Sequence, residues 1–316
     1  MAAFAVPTAP GPVGDGGRGR RGVAAAIGTA PPHLYFLISA VFHYLGPAFA
    51  VLLFVRVDVL GVAWLRIVSA AAILAVWRRP WRAFLAQDRS GRRLLLAWGG
   101  VLATMNACFY MAIDRLPLGT VAAIEFLPVI ALAALGARSA RNAAALALVV
   151  PGVYLLTDVR LTAQPLGLAF AFLNAILFAA YIILADRVAK RPRIRGIDGL
   201  AASMVIAAAV ITPIGGWAAA RAFGDPLGLL AGIGVGVSSS VIPYVTDQLA
   251  LARLSRAAYA LMVSLLPATA VMIGIVILTQ IPTVLETIGV ALVVAGVGLH
   301  REPTGGDRQP AREAFV

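Results

Sequence analysis

From His33 to His300 the chain is a succession of apolar stretches, each about as long as a bilayer is thick and each ended within a few residues by Arg, Asp, Pro or Gly. A helix needs about 20 residues to cross the hydrocarbon core of a membrane. Across that core the backbone can satisfy its own polar groups only as a helix or a closed barrel, and runs this long select the helix. Apolar residues make up 61% of the chain and charged residues 13%, against roughly 45–50% and about 25% in soluble domains. A globular core has no room for that much apolar surface, and almost nothing remains for a separate soluble catalytic domain.

Ten spans are expected, near residues 33–55, 59–77, 93–113, 117–136, 142–157, 166–186, 197–219, 226–249, 256–278 and 284–300. Residues 1–32 are rich in Pro, Gly and Ala, include Arg18, Arg20 and Arg21, and show no sustained apolar period. That composition predicts a disordered tail. A secretory signal is the competing reading, but its apolar part, Val23 to Ala30, is short and runs straight into Pro31 and Pro32. Residues 301–316 form a polar tail at the other end. The match of Gly14 to Gly19 to GxGxxG has neither a strand before it nor a helix after it, and we read it as chance.

The net charge of +12 would suggest nucleic acid in a soluble protein. Here the basic residues sit in short connections, where they set orientation because cytoplasmic loops retain the excess of Lys and Arg. With the N-terminus inside, 21 Lys and Arg fall on the cytoplasmic side and 4 (Arg56, Arg115, Arg160 and Arg221) on the other. Both termini are therefore expected in the cytoplasm. Arg66 belongs to neither side, because it lies within the second span.

The two halves resemble each other. Ala147 to Leu155 (ALVVPGVYL) recurs as Ala291 to Leu299 (ALVVAGVGL), and Arg115-Leu116 with Leu127-Pro128 recurs as Arg253-Leu254 with Leu266-Pro267. Each half, 33–157 and 166–300, holds five spans. Because five is odd, the second copy enters the membrane upside down, giving the inverted repeat used by secondary transporters that rock about a midplane site.

These features, with Trp64-Leu65-Arg66, the stretch Ala112 to Pro128 (AIDRLPLGTVAAIEFLP) and the segment Ser238 to Pro267, resemble the EamA branch of the drug/metabolite transporter superfamily. Within that branch the chain is most similar to inner-membrane threonine/homoserine exporters. The resemblance spans about residues 33–300. It implies efflux of a small metabolite such as an amino acid, coupled to protons, from a multi-pass protein of the cell membrane that needs no cofactor.

A charge in mid-membrane costs at least about 2.5–3.5 kcal/mol on insertion scales and marks a partner or a task. Arg66 and Glu125 are the clear cases, at similar depth in spans two and four. Their counterparts in the second half, approximately Met204 and Ser264, are uncharged. Two readings of the pair stand. In one it is an ion pair that fixes packing. In the other Glu125 carries a proton while Arg66, permanently charged and fork-shaped, holds a substrate carboxylate. His43, before Gly46-Pro47 in the first span, reads equally as a substrate or proton contact and as a packing histidine. Asn106, Asn174 and Tyr244 are the further candidates for the lining of a substrate cavity, against a background of interhelical hydrogen bonds worth about 0.6 kcal/mol each.

Enzyme signatures are missing: the chain has no HExxH, GxSxG or GxxxxGK[ST]. Its single cysteine, Cys108, excludes a CxxC metal site. No ring of like charges or repeated carbonyl filter points to a channel. The partners expected are therefore a small-molecule substrate, protons and the lipid bilayer, and not nucleic acid.

Overall fold

The computed structural model describes residues 32–136, 140–161, 164–191, 196–243, 246 and 265–299, and its elements are helical throughout. In chain order they are α1 (Pro32–Leu53), α2 (Val59–Arg78), α3 (Pro80–Leu85), α4 (Arg89–Ile113), α5 (Leu118–Gly136) and α6 (Ala140–Leu161). They continue with α7 (Pro165–Ala189), α8 (Gly196–Ile211), α9 (Pro226–Gly236), α10 (Leu266–Leu278) and α11 (Val284–Leu299). A π-helical turn, Thr212–Gly216, extends α8, and a second, Val237–Val241, extends α9. Five helices are long and apolar enough to cross a membrane by length and composition, and five further apolar helices are shorter.

Short polar signals start and stop these helices. Asp58 accepts from the Leu60 N–H and Asp88 from the Gly91 N–H, capping α2 and α4. Asp225 caps α9, with Pro226 preset at its first position. Thr283 and Glu286 form a reciprocal capping box at the start of α11: the Thr283 N–H donates to Glu286 Oε2 at 2.8 Å, and the Glu286 N–H donates to Thr283 Oγ1 at 3.2 Å. Arg79 and Thr279, with φ of 50° and 54°, take the left-handed conformation that ends α2 and α10.

Three expectations from the sequence need correction. The basic connection after the second span is not all loop, because α3 occupies Pro80–Leu85 and α4 already begins at Arg89 rather than 93. Asp88 supplies the cap that makes the earlier start favourable. The fifth span is longer than 142–157, since α6 covers 22 residues and Pro151 does not break it. The seventh does not run as one α-helix to 219 but passes into the π turn at Thr212, next to Pro213, which lacks the N–H an α-helix would use there. The C-terminal end of the eighth span, with Tyr244, and the start of the ninth lie outside the described residues.

Two antiparallel helix pairs carry the architecture. In the first, α6 packs against α11 at backbone distance. A Cβ on Gly152 would lie 2.8 Å from the Gly289 carbonyl oxygen, and one on Gly289 would lie 2.8 Å from that of Gly152. A Cβ on Gly296 would lie 2.8 Å from the Ala145 carbonyl oxygen and 2.3 Å from Val149 Cγ2. Small residues thus let the two backbones touch, as in close membrane crossings.

In the second pair, α2 lies along α8. Arg78 Nε meets Asp198 Oδ1 at 2.8 Å near one end, and Trp64 Nε1 donates to Thr212 Oγ1 at 2.9 Å toward the other. Beyond that, Arg56 Nη1 pairs with Asp225 Oδ2 at 3.1 Å. The α4 helix packs against both α7 and α8, and α5 lies between α6, α7 and α10. The main core is consequently continuous from Tyr44 through Leu65, Tyr110 and Ile124 to Val293.

Candidate functional site

Arg66 and Glu125 each stand seven residues into their helices, α2 and α5, about 10 Å along the axis at 1.5 Å per residue. Glu125 is 9% exposed, and it accepts a hydrogen bond from Asn174 Nδ2 of α7 at 3.1 Å. Arg66 is half-buried. Its Nε reaches Ser240 Oγ at 3.4 Å and its Nη2 the Ser239 carbonyl at 3.5 Å, both in the π turn that follows α9. The guanidinium lies 5.5 Å from the centre of the Tyr110 ring, a cation–π contact worth about 0.5–2 kcal/mol.

The two charges are near enough to interact but do not meet, with no Arg66 nitrogen within 4.0 Å of a Glu125 oxygen. The structure contains no direct ion pair between these two residues. Arg66 instead rests on a carbonyl, a hydroxyl and an aromatic face, all neutral. A guanidinium held this way in a low-dielectric interior keeps a strong preference for an anion.

Two local devices build the site. The π turn adds a residue to one helical turn, which turns Ser238, Ser239 and Ser240 inward, where all three are buried; π bulges occur often at functional sites. Gly46, before Pro47 in α1, lets the turn approach, since a Cβ there would lie 1.9 Å from Ser239 Oγ. His43 stacks edge-on against Tyr44 at 5.2 Å and feels the Arg66 charge, yet it retains accessible surface.

Of the residues expected from the sequence, the structure joins Asn174 to Glu125, sets Arg66 on the serine turn, and leaves His43 exposed on α1. The Asn106 amide donates to the Leu102 carbonyl of its own helix at 2.8 Å. Sequence reasoning did not select Tyr44, Tyr110 or Ser239 for the site. Among the described residues, Tyr44 Oη, Tyr110 Oη, Ser239 Oγ and Asn174 Oδ1 are buried without a hydrogen-bond partner. Tyr110 meets Arg66 through its ring face, and the Ser239 carbonyl accepts from the same guanidinium. The run of three serines inside an apolar stretch was the one signal that pointed to this turn.

Comparison with known proteins places the whole chain. The sequence profile of the EamA-like transporter family matches residues 165–300. The threonine/homoserine exporter RhtA of Salmonella typhimurium (strain LT2) is 30% identical over 284 residues, covering 86% of this chain and 93% of that protein. The chain belongs to the EamA-like transporter family. RhtA of Escherichia coli (strain K12) is 29% identical over 257 residues, 79% of this chain and 84% of the relative. A chain of known crystal structure shares the fold, with a TM-score of 0.54 at 19% identity over 85% of this chain and 97% of that one. This EamA-like protein is thus a multi-pass membrane transporter rather than an enzyme.

Proposed function

We propose that this protein is a secondary active exporter of small amino acids of the threonine and homoserine kind, coupled to protons and working by alternating access. The observation that carries the reading is the separated pair. Arg66 and Glu125 each stand seven residues into their helices with no ion pair between them, Arg66 resting on the serine turn and Glu125 on Asn174. An amino acid brings a carboxylate for Arg66 and an ammonium for the neighbourhood of Glu125, and both match in geometry and charge. Glu125 serves as the proton carrier. Ionised, it holds the substrate ammonium while the carboxylate sits on Arg66; protonated from the outer side, it loses that hold as the substrate leaves, and it gives the proton up to the cytoplasm before the next substrate binds. His43 and Asn174 complete the lining on this reading, and Tyr244 belongs to it by sequence.

The scaffold proposed for this cycle is two inverted five-helix repeats, 33–157 and 166–300, between tails 1–32 and 301–316, with both termini cytoplasmic. The α6–α11 crossing supports it. In the alignment that sets Ala147 on Ala291, Gly152 corresponds to Gly296 and Ala145 to Gly289. The contact of Gly152 with Gly289 then has as its mirror the contact of Gly296 with Ala145, and that contact is present, as is the pair Gly152–Val293 mirrored by Gly296–Val149. Reciprocity of this kind is what a two-fold axis between the helices produces. The antiparallel α2–α8 pair extends the same relation.

The deciding experiment measures efflux of labelled threonine and homoserine from cells with and without the protein. Expected is faster efflux with it, slowed when the proton gradient is collapsed. Equal efflux in both strains would overturn the substrate, and gradient-independent efflux would overturn the coupling.

A further inference from the structure

The hydroxyls around Arg66 are fixed as well as unpartnered. The Tyr110 ring is wedged edge-on between Phe54 and Phe109, each with its centre 6.0 Å away, and its face is taken by the Arg66 guanidinium. Ser239 is held in the π turn with its Oγ against Gly46 of α1. Tyr44, two residues before Gly46 in α1, is 1% exposed. Each of these hydroxyls offers a donor and an acceptor. A buried polar group left unpaired is penalised in stability, and side chains held this firmly cannot turn away to find another partner.

Tyr110 and Ser239 flank the same guanidinium, one through its ring face and the other through its carbonyl, and both hydroxyls are buried without a hydrogen-bond partner. A third hydroxyl placed with them accepts from one and donates to the other, completing both. We propose that Tyr110 and Ser239, backed by Tyr44, form a subsite that reads a hydroxyl on the side chain of the amino acid whose carboxylate sits on Arg66. This rests on the amino-acid reading above and deepens it. The substrate class becomes short amino acids carrying a side-chain hydroxyl, and the selectivity comes from uncharged residues distinct from the charged pair. The physical basis is the asymmetry of hydrogen-bonding pockets: one built for a hydroxyl rejects the analogue without it, because the buried partners are then stranded.

Both threonine and homoserine become 2-aminobutyrate when the hydroxyl is removed, so one compound serves as control for both. The experiment uses the full-length protein in proteoliposomes and measures competition against labelled threonine. Homoserine should compete at least about tenfold better than 2-aminobutyrate. In Tyr110→Phe and in Ser239→Ala, which each delete one hydroxyl, that ratio should fall to within about twofold of unity. The ratio does not depend on how much protein is active, and Ser239→Ala removes a single atom, so the test survives if Tyr110→Phe folds poorly. No discrimination by the wild type, or an undiminished ratio in Ser239→Ala, overturns the subsite while leaving amino-acid export standing. Absence of labelled threonine transport overturns both.

Discussion

The α6–α11 crossing makes a quantitative demand on glycine. Gly152→Ala places a methyl group 2.8 Å from the Gly289 carbonyl oxygen and 3.0 Å from Leu292 Cβ and Val293 Cγ2. To reach the 3.4 Å of ordinary contact the helices must part by about 0.6 Å, and the nearest obstacle is backbone, which no rotamer change relieves. Overpacking of this kind costs about 1–3 kcal/mol. Gly296→Ala meets the Ala145 carbonyl oxygen at the same 2.8 Å and should cost a similar amount, as the reciprocal contact requires. Gly100→Ala and Gly234→Ala are the controls: nothing lies within 4 Å of a Cβ at either, and relief of glycine's backbone entropy gains up to about 1 kcal/mol. Thermal unfolding in detergent reads the difference, since 1 kcal/mol moves the midpoint by on the order of 2–4 °C in a chain of comparable size. The double variant Gly152→Ala with Gly289→Ala should lose less than the sum of the two, because one separation accommodates both methyl groups. A Gly152→Ala protein as stable as Gly100→Ala would refute the backbone contact, and with it the strongest structural support for the repeat.

Glu125→Gln should leave the protein in the membrane, lower gradient-driven export at least about tenfold, and spare energy-independent exchange, measured in proteoliposomes with and without a pH gradient. Arg66→Leu should abolish binding of amino acids and Arg66→Lys should weaken it, because the ammonium lacks the fork; wild-type protein should ignore amino alcohols in the same competition assay. Single cysteines at Arg82 and Arg193 should label from the cytoplasmic side and those at Arg160 and Arg221 from outside, tested with an impermeant thiol reagent in a Cys108→Ser background. The Gly228 backbone N–H first, and then Arg56, hold the Asp225 carboxyl below its ordinary range. The stability that Asp225 adds is therefore present above about pH 4 and lost as pH falls through its lowered value, and melting curves of Asp225→Asn should lack that acid-side loss.

The apolar helices were legible because hydrophobic length is a property of the chain alone: 59–77 was expected against the helix Val59–Arg78, and 117–136 against the helix Leu118–Gly136. Arg66 and Glu125 were legible for the same reason, since a charge within an apolar run costs too much to be incidental. Features that depend on contacts between helices were not legible. A six-residue helix such as α3 carries no usable period, and a π turn has the same hydropathy as the α-helix it interrupts. Asn106 and Asn174 look alike in sequence, yet one bonds its own helix and the other crosses to Glu125. Tyr110 and Ser239 belong to the site only because α4 and the turn after α9 converge on Arg66 from opposite halves of the chain.

That convergence connects the scaffold to its proposed work. The crossing helices share two reciprocal pairs of contacts, whereas the candidate site does not repeat. Both charges come from the first half, the serine turn comes from the second, and the position corresponding to Arg66 is the buried, uncharged Met204. A scaffold whose halves are alike can exchange their roles at little energetic cost, which alternating access needs, because the inward- and outward-open states are then near mirror images. An asymmetric site adds what symmetry lacks, a ligand held in one orientation, with its carboxylate on Arg66 whichever side is open. On this view the rocking motion belongs to Gly152, Gly289 and Gly296, and selectivity belongs to Arg66, Tyr110 and Ser239. Substitutions in the first group should alter transport rate for all substrates together, and those in the second should alter the order in which substrates compete.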